Sequence, residues 1–242
     1  MAYTDIDKPS DYFNTKLYTG TGSEHAISGI GFAPNLVWLK CRSDANNPML
    51  FDTVRGATKN LYPNLTTAEG TEAQSLKSFD SDGYTLGTES DINGSSKTNV
   101  GWNWKANGAG SANTAGSINS TVSANTTSGF SILTYTNQNI NTIGHGLGVV
   151  PDVIIAKTLG VSGSWFLGSE KMLGGWNKKL NLNETGAVAT ETRPFYPSSA
   201  APTSTVFSSD QSVFSAGGSA TETMVAYCFA EKQGYSKFGS YT

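Results

Sequence analysis

Histidine and cysteine are scarce in this chain, with two of each among 242 residues, and they form no cluster with zinc-site spacing. His25 and His145 stand in polar, glycine-containing turns, which reads as loop histidine rather than as a catalytic base. Cys41 falls at a strand end and Cys228 inside an apolar strand. Two lone cysteines so placed read as reduced and buried rather than as a disulfide. Charge is low as well, with Asp, Glu, Lys and Arg at 14% and a net charge of -3. The basic residues are scattered singly, which sets aside a nucleic-acid footprint or a basic membrane patch. No apolar run is long enough to cross a bilayer. Met1-Ala2-Tyr3-Thr4-Asp5 lacks the basic and then apolar character of a secretory signal, so the chain as given reads as soluble and unexported. The sparse carboxylates also argue against a paired-acid depolymerase groove.

What is abundant is glycine, at 27 residues, together with Ser, Thr and Asn. That composition belongs to many short strands joined by tight turns. The organising stretch is Gly31-Phe32-Ala33-Pro34-Asn35-Leu36-Val37-Trp38-Leu39-Lys40, which returns as Gly148-Val149-Val150-Pro151-Asp152-Val153-Ile154-Ile155-Ala156-Lys157. Each is a turn that feeds a buried strand, closed by a lysine expected to return the chain to water. The offset of 117 residues from Pro34 to Pro151 also carries Phe13 onto Phe130, Tyr18 onto Tyr135 and Thr19 onto Thr136. With small shifts, Asn60 to Thr66 matches Lys179 to Thr185, and Val100-Gly101-Trp102-Asn103-Trp104 matches Val225-Ala226-Tyr227-Cys228-Phe229. The pattern predicts an internal duplication of one domain.

The expected organisation is an irregular arm over 1–11, a first β-sandwich over 12–106 and a Gly/Ser/Asn/Thr-rich linker over 107–129. A second sandwich over 130–234 and a final strand over 235–242 follow, the last resembling the start of a third copy. Within the linker, Ser117 to Ala124 alternates well enough to form a bridging strand. Both domains are expected to be antiparallel sandwiches of jelly-roll or lectin-like character. Asp82-Gly83 and Asn93-Gly94 read as hairpin turns whose residues supply positive φ.

Few residues invite chemistry. Gly144-His145-Gly146-Leu147-Gly148 superficially resembles a phosphate loop, but a strand rather than a helix follows it. Asp80-Ser81-Asp82-Gly83 opens like a calcium loop, with Asp80 and Asp82 as the metal candidates, although no closing glutamate follows. Asp side chains that bond their own hairpin backbone explain the stretch with less machinery. Trp102 and Trp104 share a strand face and, replaced by Tyr227 and Phe229 in the second copy, read as core. Trp165 and Trp176 flank glycine-rich loops and read as ligand-contact residues. The C-terminal Tyr235, Phe238 and Tyr241 are the assembly candidates, because an unpaired strand can complete a neighbouring sheet.

Taken together, the Gly31–Lys40 stretch, Leu50-Phe51-Asp52-Thr53-Val54-Arg55-Gly56-Ala57, Ser78-Phe79-Asp80-Ser81-Asp82-Gly83-Tyr84-Thr85-Leu86-Gly87 and Gly101-Trp102-Asn103-Trp104-Lys105-Ala106 resemble a repeated domain of uncharacterised function. That domain occurs in virion proteins of tailed phages of marine bacteria, especially cyanophages. The second copy lacks the Phe-Asp-Ser-Asp-Gly hairpin and the Phe-Asp-x-Val-Arg-Gly segment. The resemblance implies a non-enzymatic virion protein without a cofactor, assembled in the host cytoplasm, where free cysteines persist. It would act as a tail fibre or appendage for host attachment, or as a capsid decoration, with other virion proteins and its own copies as partners. The alternative is a carbohydrate-binding module that recognises a glycan of the host surface or the environment.

Overall fold

Short apolar runs between glycine-rich turns leave room for strands of only two to eight residues, and the computed structural model is accordingly almost all β. It describes residues 4–137, 139–190, 194–195, 200–210, 214 and 221–241. The chain divides into two compact units, an N-terminal one of Lys8–Asn64 with Glu69–Ala109 and a C-terminal one of Met1–Asp7, Leu65–Ala68 and Gly110–Thr242. All strand pairings within the sheets are antiparallel, in sandwich-like units.

In the N-terminal unit β1 (Phe13–Thr19), β2 (His25–Ser28), β3 (Leu36–Cys41), β4 (Met49–Asp52), β5 (Lys59–Asn60), β6 (Gly70–Thr71), β7 (Leu76–Asp80) and β8 (Gly83–Leu86) precede a single helical turn, α1 (Ser90–Asn93), and then β9 (Thr98–Trp104). One sheet has the order β1-β9-β3-β4, a second β2-β8-β7, and β5 pairs with β6. Strand side chains alternate, so Val37 and Leu39 of β3 enter the core with Phe51, Tyr84, Leu86 and Ile27, while Trp38 and Lys40 turn to the opposite face. Each such fully buried apolar side chain stabilises the fold by about 1.5–3 kcal/mol relative to exposure.

In the C-terminal unit β10 (Ser111–Asn113), β11 (Ser120–Asn125), β12 (Phe130–Asn137), β13 (Ile140–Gly144), β14 (Val153–Thr158) and β15 (Phe166–Gly168) lead to the helical turn α2 (Glu170–Leu173). Then come β16 (Lys178–Asn181), β17 (Ala189–Thr190), β18 (Val206–Asp210) and β19 (Glu222–Phe229). The main sheet runs β10-β11-β12-β19-β14-β15-β16-β17, and β13 pairs with β18. Leu133, Ile154, Ala156, Phe166, Phe207 and Cys228 belong to the core of this unit.

The two units share one pattern at residue level. Phe13 pairs with Trp104 and Trp104 with Leu36, as Phe130 pairs with Phe229 and Phe229 with Val153. After each proline the next side chain closes the sheet end in the same way. Asn35 Oδ1 accepts from the Ala106 N–H at 2.7 Å, and Asp152 Oδ2 accepts from the Glu231 N–H at 2.7 Å.

Several expectations need correction. Asn107 to Gly129 is not a linker, because it carries β10 and β11, which extend the main sheet beyond β12. The alternating stretch Ser117 to Ala124 falls largely on β11, whereas main-chain pairing needs no apolar side chains, which is why composition hid β10. The expected arm is split: the Asp5 and Ile6 N–H groups donate to Gln233 O, and Pro9–Asp11 forms a short 3-10 turn. The Asp80 to Gly83 hairpin turns on Ser81 and Asp82, neither with positive φ. Gly83 is required instead by close approach, since a Cβ there would lie 1.8 Å from Ile27 O. Asn93 ends α1 rather than forming a hairpin with Gly94. Its buried side chain donates to Ser23 O and Gly87 O and accepts from the Thr21 N–H.

Candidate functional site

The most recognisable stretch of the N-terminal unit, Asp52-Thr53-Val54-Arg55-Gly56, folds into a buried ionic knot. Asp52 ends β4 and its Oδ1 accepts from the Val54 and Arg55 N–H groups at 3.1 and 2.9 Å, as an N-cap residue does. The Arg55 guanidinium turns back, donating from Nε to Asp52 Oδ2 at 2.6 Å, from one terminal nitrogen to Lys59 O and Glu69 Oε2, and from the other to Leu50 O. Arg55 and Asp52 are essentially inaccessible to solvent. The knot fixes the β4 exit against β5 and β6, and its groups face one another rather than a cleft. At the corresponding place of the C-terminal unit, Ser169 Oγ accepts from the Met172 N–H to cap α2.

Asp80 and Asp82, the calcium candidates, do not converge. Asp80 accepts from the Ser78 and Thr85 hydroxyls. Asp82 accepts from the Gly29 N–H at 3.0 Å and the Gly31 N–H at 2.6 Å, clasping the turn that leads into β3. Those two donors, Gly31 foremost, hold the Asp82 carboxyl below its ordinary range. Gly146 and Gly148 repeat the positive φ of Gly29 and Gly31. The corresponding turn, Thr203–Val206, has no acid. There His145 takes over: fully buried, its Nδ1 accepts from the Leu147 N–H at 3.3 Å while Nε2 faces Thr203 O at 3.2 Å. Burial lowers its pKa, and the bonding fits a neutral ring protonated on Nε2. His25 likewise bonds a side chain, with Nδ1 3.2 Å from Asn93 Oδ1. Both histidines are thus parts of the turn framework rather than bland loop residues. Among the described residues no group of three or more His, Cys, Asp and Glu is placed to hold a metal ion.

The tryptophans reverse their expected roles. Trp165 is 1% exposed and stacks on Tyr227 at 6.5 Å, and Trp176 is 5% exposed within the C-terminal core. Neither is a ligand-contact residue. Their glycine neighbours mark tight turns that bring the rings inward. Trp102 and Trp104 keep partial exposure on the face of the sheet opposite its core, where Trp102 meets Trp38 and Trp104 meets Phe13.

Lys40 and Lys157, expected to return to water, clasp carbonyls. Lys40 Nζ donates to Cys41 O, Asp44 O and Asn46 O at 2.7, 3.3 and 2.9 Å. Lys157 is wholly buried and donates to Thr158 O at 3.0 Å and Thr66 O at 3.3 Å. Desolvation lowers its pKa from the ordinary 10.5 to about 8. The free thiols of Cys41 and Cys228 are also buried, and burial pushes the Cys228 thiol up.

The outer edge of β1 is different in kind, because its backbone groups, apart from the Thr15 N–H bonded to Asn14 Oδ1, remain available. Lys105 N–H donates to Tyr12 O and Gly20 N–H to Lys97 O, so the even-numbered residues of β1 bond to β9. By alternation Phe13, Thr15, Leu17 and Thr19 turn their N–H and C=O outward. No described strand pairs with that edge, and the Leu17 side chain is 59% exposed.

One family model, described as a domain of unknown function (DUF7483), matches residues 8–242. The chain belongs to the DUF7483 family. No curated protein and no solved structure matches it. In this DUF7483 chain the match runs across both units, so the ionic knot of the N-terminal unit and the His145 turn of the C-terminal unit fall within one family domain. It also takes in the C-terminal segment, which forms no strand over its described residues. Tyr235 lies in a turn closed on Lys232 O, and burial pushes its pKa up to about 12. Phe238 packs on Phe229 at 6.2 Å, and its N–H donates to Glu231. Tyr241 is 98% exposed, and Thr242 lies outside the described residues. Tyr235 and Phe238 therefore complete the C-terminal unit instead of awaiting a neighbour.

Proposed function

We propose that this DUF7483 protein is a structural component of the exterior of a tailed-phage particle, a fibre-like appendage or capsid decoration, acting by protein contact rather than by chemistry. The observation that carries the reading is the use made of the family-like motif residues. Asp52, Arg55 and Asp82 bond their own turns and strands, so the distinctive sequence builds scaffold, while the open backbone groups lie on a sheet edge. Edges of this kind are where a chain adds to another by ladder hydrogen bonds. The rival reading, a glycan-binding module, would present Trp165, Trp176 or the Asp80 to Gly83 loop to a glycan; both rings are buried, and the acids of the loop bond protein groups.

Mass spectrometry of density-purified particles, paired with immunogold labelling of intact ones, tests the reading. The chain is expected on the particle surface. Its recovery only from the soluble lysate, with particles free of it, would overturn the proposal.

A further inference from the structure

We infer that the outer edge of β1 is a self-association site, pairing antiparallel with β1 of a second copy of this chain across a two-fold axis. This deepens the contact role proposed above and rests on it. The argument comes from the matching edge of the C-terminal unit. There β12 is covered by β11 in the register Asn125 with Phe130, Ser123 with Ile132 and Thr121 with Thr134. Phe130, Ile132 and Thr134 correspond to Phe13, Thr15 and Leu17, residues whose N–H and C=O turn outward on β1. The same sheet pattern therefore accepts a strand at this edge in one unit and lacks it in the other. The described residues preceding β1 do not supply it, since Asp5 and Ile6 bond Gln233 and Pro9–Asp11 is a 3-10 turn.

The edge also suits its own copy. A two-fold contact is self-complementary, with one patch serving both partners. Pairing β1 with β1 joins two four-stranded sheets into one of eight, the strand number that the C-terminal unit already has. The register is set by Leu17, the exposed apolar side chain of the edge; the Thr15 N–H is already held by Asn14 Oδ1 at 2.9 Å. In a pair centred on Leu17 that N–H faces the opposing Thr19 C=O and stays with Asn14. Leu17 then exchanges two hydrogen bonds with Leu17 of the second copy, and each Thr19 N–H reaches the opposing Thr15 C=O. The exposed Leu17 side chains meet across the axis, an apolar pair on an otherwise polar edge. Lys16, the residue type that commonly blocks edges, lies on the other face of the strand from Leu17.

The test uses the full chain. Light scattering over a concentration series is expected to show mass rising from 25.5 kDa toward twice that value. Leu17→Pro removes the outward N–H and no bond to β9, so it should return the protein to monomer with an unchanged melting temperature. Leu17→Cys should form a disulfide-linked dimer on mild oxidation, whereas the wild type, whose two cysteines are buried, should not. A wild-type monomer at all concentrations overturns the inference, as does a dimer that survives Leu17→Pro. Failure of Leu17→Cys to cross-link overturns it as well, even if the proline variant fails to fold. Each of those outcomes leaves the particle-surface role to its own test.

Discussion

Replacing Lys157 with methionine should abolish a rise in stability at alkaline pH that the wild type shows. The ammonium is wholly buried, faces two carbonyl oxygens and is held from its ordinary 10.5 down to about 8 by desolvation. Below about pH 8 the folded and unfolded chains both carry the proton, and the folded state bears the full cost of a buried charge. Between about 8 and 10.5 the unfolded chain keeps a proton that the folded chain has lost. Stability therefore rises with pH, by about 1.4 kcal/mol per pH unit and at most about 3 kcal/mol over the interval. Methionine keeps the length of the side chain and removes the titration. Loss of the two hydrogen bonds shifts the variant's stability at every pH, so only the change in the difference between the proteins is diagnostic. Tyr84 and Tyr135, whose pKa values burial raises, act in the opposite direction above about pH 10, but they do so in both proteins and cancel. Urea unfolding followed by tryptophan fluorescence at several pH values between 7 and 10.5 measures the difference. Wild type should gain on the variant by about 2–3 kcal/mol across that range. A difference constant to within about 0.5 kcal/mol would show that the ammonium is not desolvated, and the reasoning would fail.

Three further substitutions probe the N-terminal unit. Arg55→Ala leaves the Asp52 carboxylate buried without its cation, and urea unfolding should show a loss on the order of 3–5 kcal/mol; a loss below about 1 kcal/mol would contradict the structural role of the knot. Tyr84→Phe removes a buried hydroxyl that has no hydrogen-bond partner, so thermal unfolding should show unchanged or increased stability, by up to about 1 kcal/mol. Asp82→Ala should lower the melting temperature at neutral pH. Because the Asp82 carboxyl titrates below its ordinary range, its contribution is present above the unfolded-state value, near pH 4, and fades only as pH falls below that. A gap between wild type and variant that persists unchanged to strong acid would refute the clasp.

Much of the strand framework was legible because turn chemistry and side-chain alternation agree there. The Pro-Asn and Pro-Asp turns announce β3 and β14, and Val100 to Trp104 marks β9 with its paired tryptophans. What could not be read is whatever depends on packing between distant segments. Trp165 and Trp176 look like surface rings because glycine flanks them, yet only the fold places Tyr227 beneath Trp165. Lys157 looks like a strand-ending cation, and its burial depends on the Thr66 carbonyl, 91 residues earlier. The alternation of Ser117 to Ala124 marked β11, but β10 is hidden for a different reason, since its pairing is main-chain and its small polar side chains give little periodic signal. The hairpin at Asp80 showed its location correctly and its geometry wrongly, because Gly83 answers to the neighbouring strand and not to the turn.

The order β1-β9-β3 and its counterpart β12-β19-β14 have a consequence for synthesis. In the N-terminal unit the last strand to leave the ribosome, β9, is inserted between β1 and β3, and in the C-terminal unit β19 is inserted between β12 and β14. Until β9 or β19 emerges, the earlier strands have no common neighbour, and their apolar faces wait uncovered for most of the translation of that unit. Such sequence-distant pairing is slow to close and exposes edges while it is incomplete. A chain halted just before Thr98 or Glu222 would thus lose the central strand of its sheet rather than a dispensable end, and a nascent unit becomes foldable almost all at once.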